Sequence, residues 1–141
     1  MRLPHEILVF VRRGQQFLVL HRSERQGAYW HSVAGGVERD ESAAQAARRE
    51  LREETGLAAE PVSTGQEFTY APEAWEAHAG SGTVRVDCFV VEAPRDWEPE
   101  LDWEHDDYRW CSLEEATSLL YWPEPRELLK ELAPRDPRQR A

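Results

Sequence analysis

The chain has 141 residues, 40% of them hydrophobic, with 27 acidic against 17 basic side chains and a formal net charge of −10. That length suits one α/β domain, residues 1–141, with a core expected over about residues 5–132 and a frayed tail at 133–141. The acidity argues against DNA or long RNA as partner, because phosphate backbones need a basic surface, but not against a small phosphorylated molecule.

His5 to Arg13 is a β-rich run, Gly14 to Gln16 a turn, and Phe17 to Arg22 a second run, so a hairpin is expected. Ser23 to Gly27 is polar, a surface loop, and Tyr29 to Ala34 reads as another strand entering a Gly35-Gly36 turn. Ser42 and Gln45 make a capping box, placing a helix start near Ser42. Ala44, Ala47 and Leu51 form its apolar face, and Gly56 is a natural C-cap with Leu57 returning to the core. Val62 to Tyr70 is a strand candidate, Ala71 to Gly82 a loop suited to setting specificity, and Thr83 to Val91 a central strand. Tyr108 to Cys111 is a brief strand, Ser112 caps a helix, and Pro123 to Leu132 forms the last one. Cys88 and Cys111 fall in strands, where buried reduced thiols are expected. No apolar run approaches a membrane span of about 18 residues, and the N-terminus lacks the parts of a signal peptide, so the cytoplasm is the expected location.

The chemistry concentrates at Glu50, Glu53 and Glu54, which follow Glu41 and precede Gly56. At about 3.6 residues per turn, the i, i+3, i+4 spacing puts three carboxylates on one helix face. Mutual repulsion costs about 0.2–0.5 kcal/mol per exposed pair. An ordinary solvated face is one explanation, and an Arg49–Glu53 pair would fit it. A bound cation is the other, and oxygen-only donors suit Mg²⁺ or Mn²⁺.

These residues fill every fixed position of the pattern G-x5-E-x7-R-E-U-x-E-E-x-G-U, with U aliphatic. They are Gly35, Glu41, Arg49, Glu50, Leu51, Glu53, Glu54, Gly56 and Leu57. The pattern is the Nudix box, and the chain resembles a Nudix hydrolase. The resemblance implies an α/β/α sandwich around a mixed β-sheet. It also implies metal-dependent cleavage of a nucleoside diphosphate linked to another group, by attack of water at phosphorus. A divalent metal would neutralise the phosphate oxygens and supply a nucleophile near neutral pH. Position by position, Glu50, Glu53 and Glu54 resemble the metal ligands, with the carbonyl of Ala34 completing the shell. Arg49 resembles the arginine that orients one of those carboxylates rather than contacting substrate, Gly35 supplies a tight turn, and Glu41 supports the loop or adds a ligand through water. The general base is left open between Glu53 and a glutamate outside the box.

Glu104 is the candidate for that outside carboxylate, against the alternative of a plain acidic loop shared with Asp102, Asp106 and Asp107. His105 is a second candidate base, with capping or packing as its competing role. Arg22 ends a strand before the loop to Tyr29-Trp30 and suits bidentate phosphate recognition, or is a solvated strand end. Trp30 could stack on a base or pterin ring, or belong to the core. The stretch from Trp30 to Glu38 and the run from Glu104 to Trp110 resemble the subgroup that hydrolyses dATP and dihydroneopterin triphosphate. A nucleotide-like triphosphate is therefore the expected substrate, and a homodimer an arrangement common among small members. The rivals are a hydrolase of nucleotide sugars or dinucleoside polyphosphates, and a non-catalytic nucleotide sensor on the same fold.

Overall fold

The computed structural model describes residues 4–71 and 83–132. The expected specificity loop, apart from Ala71, and the expected frayed tail lie outside those residues. Seven strands form one mixed sheet: β1 (His5–Arg13), β2 (Gln16–Arg22), β3 (Trp30–His31), β4 (Val33–Gly36), β5 (Val62–Tyr70), β6 (Val84–Glu92) and β7 (His105–Cys111). Three helices pack on it: α1 (Ala43–Thr55), α2 (Leu113–Leu119) and α3 (Pro123–Leu132).

β1 is the centre of this arrangement. It pairs antiparallel with β2 and β4 and parallel with β6, which in turn pairs antiparallel with β5. Side chains alternate across a strand, and β1 is apolar at every buried position, so it feeds two cores at once. Ile7, Val9 and Val11 join Ala46, Ala47 and Leu51 of α1 in one core. Leu8 and Phe10 join Ala116, Leu120 and Leu129 of the α2–α3 side in the other. The result is the α/β/α sandwich expected from the sequence. Cys88 and Cys111 are buried free thiols in the second core.

Both capping boxes form, with Ser42 and Ser112 accepting from the backbone N–H of Gln45 and Glu115. Gly56 takes the left-handed C-cap position at φ 83°, and its N–H donates to the Arg52 carbonyl.

Four local expectations need correction. The strand expected over Tyr29–Ala34 is divided at the buried Ser32, because its halves take different partners: β3 pairs with β2 and β4 crosses to β1. Gly35-Gly36 is not a turn but the end of β4, and Gly35 stands opposite Ile7. The β7 strand begins at His105 rather than Tyr108, because β2 continues to pair with it as far as Arg22 opposite His105. Finally, α1 is rotated relative to the expected face: Ala44 is exposed, and Ala46, Ala47, Leu51 and Glu54 are buried. That rotation has a direct effect on the acidic side chains.

Candidate active site

The rotation of α1 separates the three glutamates by environment. Glu54, two turns after Ala46, is only 2% exposed, whereas the Glu53 side chain is 55% exposed and Glu50 lies between at 14%. Carboxylates that helical spacing places on one face are thus graded from the sheet side of α1 outward.

Arg49 organises them. Its Nε donates to Glu41 at 2.8 Å, and Nη2 donates to Glu41 at 3.0 Å and to the Gly36 carbonyl at 2.9 Å. Nη1 reaches Glu50 at 3.1 Å and Glu53 at 3.2 Å. Glu41 also accepts the Glu38 N–H at 2.9 Å, so it pins the loop ahead of α1. One planar guanidinium therefore fixes three carboxylates and the end of β4, which a lysine ammonium could not do with the same geometry. Glu41 is held below its usual range by the hydrogen bond from Arg49.

Gly35 has a different reason from the expected tight turn. A Cβ there would overlap the Glu50 carboxylate, and would lie 2.7 Å from Glu50 Cγ. Glycine is required because Glu50 lies directly over the β4 backbone.

Behind Glu50 the site is buried and short of cations. Burial first, and then Glu50 and the hydrogen bond with it, push the Glu54 carboxyl well above the ordinary range; Asp102 and Glu104 add to this. Burial likewise raises Glu50, with Arg49 and Glu54 opposing. His105 is buried, with Nδ1 2.8 Å from Asp102 and Nε2 3.7 Å from Glu54 Oε1. Neither that Nε2 nor that Oε1 has a hydrogen-bond partner.

Glu50 and Glu104 border a cleft of about 1590 Å³, whose lining also includes Ala34, Gly35, Arg49 and Arg22. Arg25 and Arg39 also line it. The bulge between His21 and Arg22 in the β2–β7 pairing brings Arg22 opposite His105 and beside Glu104. Arg22 Nη2 donates to Gln26 Oε1 at 2.9 Å and Nε to the Gln26 carbonyl at 3.3 Å, leaving three N–H groups. Glu104 is raised by burial and then by Asp102.

Trp30 is not in the cleft. Its ring packs toward the second core, 4.8 Å from the His21 ring and 5.1 Å from the Arg109 guanidinium. The neighbours Tyr29 and His31 face the cleft instead, as alternation along β3 requires. His31 is depressed to about 3 by burial, then by Arg22 and His105, so it is neutral. Nothing in the sequence distinguished His31, Asp102 or Tyr29, since each depends on strand register.

The donor set suits a hard divalent cation. Glu50 and Glu54 are close enough to share a hydrogen bond, both are raised by burial, and one Glu54 oxygen lacks a donor. Two positive charges would satisfy all three conditions. Among the described residues, however, no three His, Cys, Asp or Glu side chains already converge as a metal-holding group, and Glu53 is engaged by Arg49.

Glu50, held by Arg49 and backed by the buried Glu54, lines a cleft that carries three further arginines, an arrangement suited to phosphate chemistry. Comparison with known proteins agrees. The NUDIX domain family model matches residues 2–132. A Nudix hydrolase structure from Listeria monocytogenes is similar at TM-score 0.75 and 30% identity, over 93% of this chain and 92% of that one. The E. coli dihydroneopterin triphosphate pyrophosphohydrolase shares the fold at TM-score 0.82 and 23% identity, over 94% and 96% of the two chains. An octanoyltransferase of Myxococcus xanthus is 34% identical over 127 residues, which is 88% of this chain but only 34% of that protein. The chain thus spans about a third of that relative's length. The chain belongs to the NUDIX domain family.

Proposed function

We propose that the chain is a divalent-metal-dependent pyrophosphohydrolase that cleaves a phosphoanhydride bond in a small nucleoside or pterin triphosphate. The reading rests chiefly on the pairing of Glu50 with the buried Glu54 beneath a cleft lined by Arg22, Arg25 and Arg39. Carboxylates for a cation and cations for phosphates border one space.

In this reading Glu50, Glu53 and Glu54, with the Ala34 carbonyl, hold Mg²⁺ or Mn²⁺. When bound, the metal supplies charge neutralisation at the phosphate oxygens and lowers the pKa of water. Arg49 holds Glu50 and Glu53 in place. Arg22 takes a phosphate with its remaining N–H groups. The proton of the attacking water passes to Glu53 or Glu104, and burial raises the Glu104 carboxyl above its ordinary range. The substrate is a small phosphorylated molecule, and 1–141 act as one Nudix unit in the cytoplasm; a homodimer is an assembly open to it. Among the described residues no helix is long and apolar enough to cross a membrane.

The test is release of phosphate and pyrophosphate from a panel of NTPs, dNTPs, dihydroneopterin triphosphate, nucleotide sugars and dinucleoside polyphosphates. It is run with Mg²⁺, with Mn²⁺ and with EDTA. Metal-dependent turnover of the triphosphates is expected, falling by about 10²–10⁴ in Glu53→Gln if that carboxylate is the base, and similarly in Glu104→Gln if that one is. Turnover of nucleotide sugars or dinucleoside polyphosphates instead would move the assignment to another X-linked diphosphate. No turnover with ligand binding retained would make the chain a sensor.

A further inference from the structure

Among the described residues, large hydrophobic side chains are exposed at Val62, Trp103, Tyr121 and Trp122. Two of them are adjacent and stand at the mouth of the cleft. Tyr121 is 56% and Trp122 36% exposed, and their rings meet edge to face at 4.8 Å. Tyr29, from the loop before β3, closes the group, 5.2 Å from the Tyr121 ring and 6.0 Å from Trp122. Tyr29 and Trp122 line both the main cleft and an adjoining cavity of about 610 Å³. The aromatic wall is therefore continuous with the space that holds the arginines.

We propose that Tyr29, Tyr121 and Trp122 form the seat for the planar heterocycle of the substrate, a purine-like or pterin-like ring. The proposal rests on the phosphohydrolase reading and extends it to the ring end of the same site. The wall is fixed in place before any ligand arrives. The Tyr121 N–H donates to the Trp30 carbonyl at 3.1 Å, and the Arg22 N–H to the Tyr29 carbonyl at 2.8 Å. The junction of α2 and α3 is thus fastened to β3, and such preorganisation lowers the entropic cost of binding. The Arg22 guanidinium lies 5.7 Å from the Tyr29 ring, so a phosphate-binding cation borders the aromatic surface. A ligand that joins a flat ring to an anionic chain matches that order. Trp30 lines only the adjoining cavity and not the main cleft, and Arg109 and His21 pack against its ring, so it is left out of the seat.

The test uses ring-bearing probes without phosphate, 2′-deoxyadenosine and neopterin, in EDTA, followed by saturation-transfer NMR on their ring protons. Transfer is expected in the parent protein, retained in Trp122→Phe, and lost in Trp122→Leu and Tyr121→Ala, with far-UV circular dichroism confirming that each variant is folded. In the active enzyme, Trp122→Leu is expected to raise KM for dATP about tenfold with a smaller change in kcat, as stacking energies imply. Equal transfer in the parent and in both loss variants would overturn the proposal. So would a concentration-dependent dimer that disappears in Trp122→Leu without any ring transfer, which would give the surface to a second copy of the chain. Because the probes carry no phosphate and the buffer no metal, the two readings fail separately. Trp122-dependent transfer without hydrolysis leaves the ring seat and removes the hydrolase; hydrolysis without such transfer does the reverse.

Discussion

Two groups of glutamates in this protein are shifted in opposite directions. Glu98 sits on the surface and collects donors: Arg13 Nη1 at 2.9 Å, Trp110 Nε1 at 2.8 Å and the Tyr108 hydroxyl at 3.1 Å. Those hydrogen bonds, Arg13 first, hold its carboxyl below the usual range. Glu54 is buried, faces Glu50 and a histidine nitrogen that does not bond it, and is pushed up. The residue type is the same, and its surroundings decide the sign. A carboxylate with donors fastens loops together, whereas one set among other carboxylates remains ready for an external cation. The first is a structural clasp, and the second is the site proposed above for a cation.

The largest test of this contrast removes the geometry that holds Glu50. Gly35→Ala places a methyl group where the Glu50 carboxylate lies, and displacement by about 1 Å is expected to lower kcat/KM about a hundredfold. Steady-state kinetics on the preferred triphosphate would measure it. Unchanged kinetics would mean that Glu50 can move without loss.

The next test is thermodynamic. Because the Glu54 carboxyl is raised in the fold, the folded state binds more protons than the unfolded one above the unfolded pKa of about 4.3. Stability in EDTA should therefore fall as pH rises above that value, until the folded pKa is passed. Glu54→Gln should remove this slope and stabilise the metal-free protein at pH 8 by about 1–3 kcal/mol. Added Mg²⁺ should raise the melting temperature of the parent and not of the variant. Calorimetry across pH 4–9 would decide, and a variant less stable than its parent at pH 8 would refute the reading.

The smallest effect belongs to the clasp. Glu98→Gln should lower the melting temperature at pH 7, since a depressed carboxyl contributes stability above its unfolded pKa and loses it as pH falls through the folded one. The difference from the parent should shrink toward pH 3. Activity should change little, which separates the clasp from the site.

Local signals in the sequence carried most of the fold. Ser42 with Gln45, Ser112, Gly56 and the apolar runs of β1 and β6 each specify their conformation within a few residues, and each forms as expected. The box also singled out Arg49, Glu50 and Glu41, which the fold joins by hydrogen bonds. Helical spacing alone could not grade the glutamates, because the side of α1 that meets the sheet depends on packing from β1 and β4. Trp30 was legible as an aromatic residue near the site, but which of Tyr29, Trp30 and His31 faces the cleft is set by pairing with β2. Tyr121 and Trp122 stand some ninety residues further on, beyond the reach of any local pattern.

The parallel pairing of β1 with β6 also bears on how the molecule comes together. His5 stands opposite Arg85 and Arg12 opposite Glu92, a constant offset of eighty residues. Closing so long a stretch of chain must precede the contacts that stabilise it, and such pairings form slowly. The capped α1 needs only its own neighbours, so the carboxylate-bearing segment can become helical while the cleft walls at Ile7, Leu8 and Val86 are still apart. In stopped-flow refolding, helical ellipticity should precede the signal from the cleft, and nascent chains should acquire the carboxylate-bearing helix before the cleft walls meet.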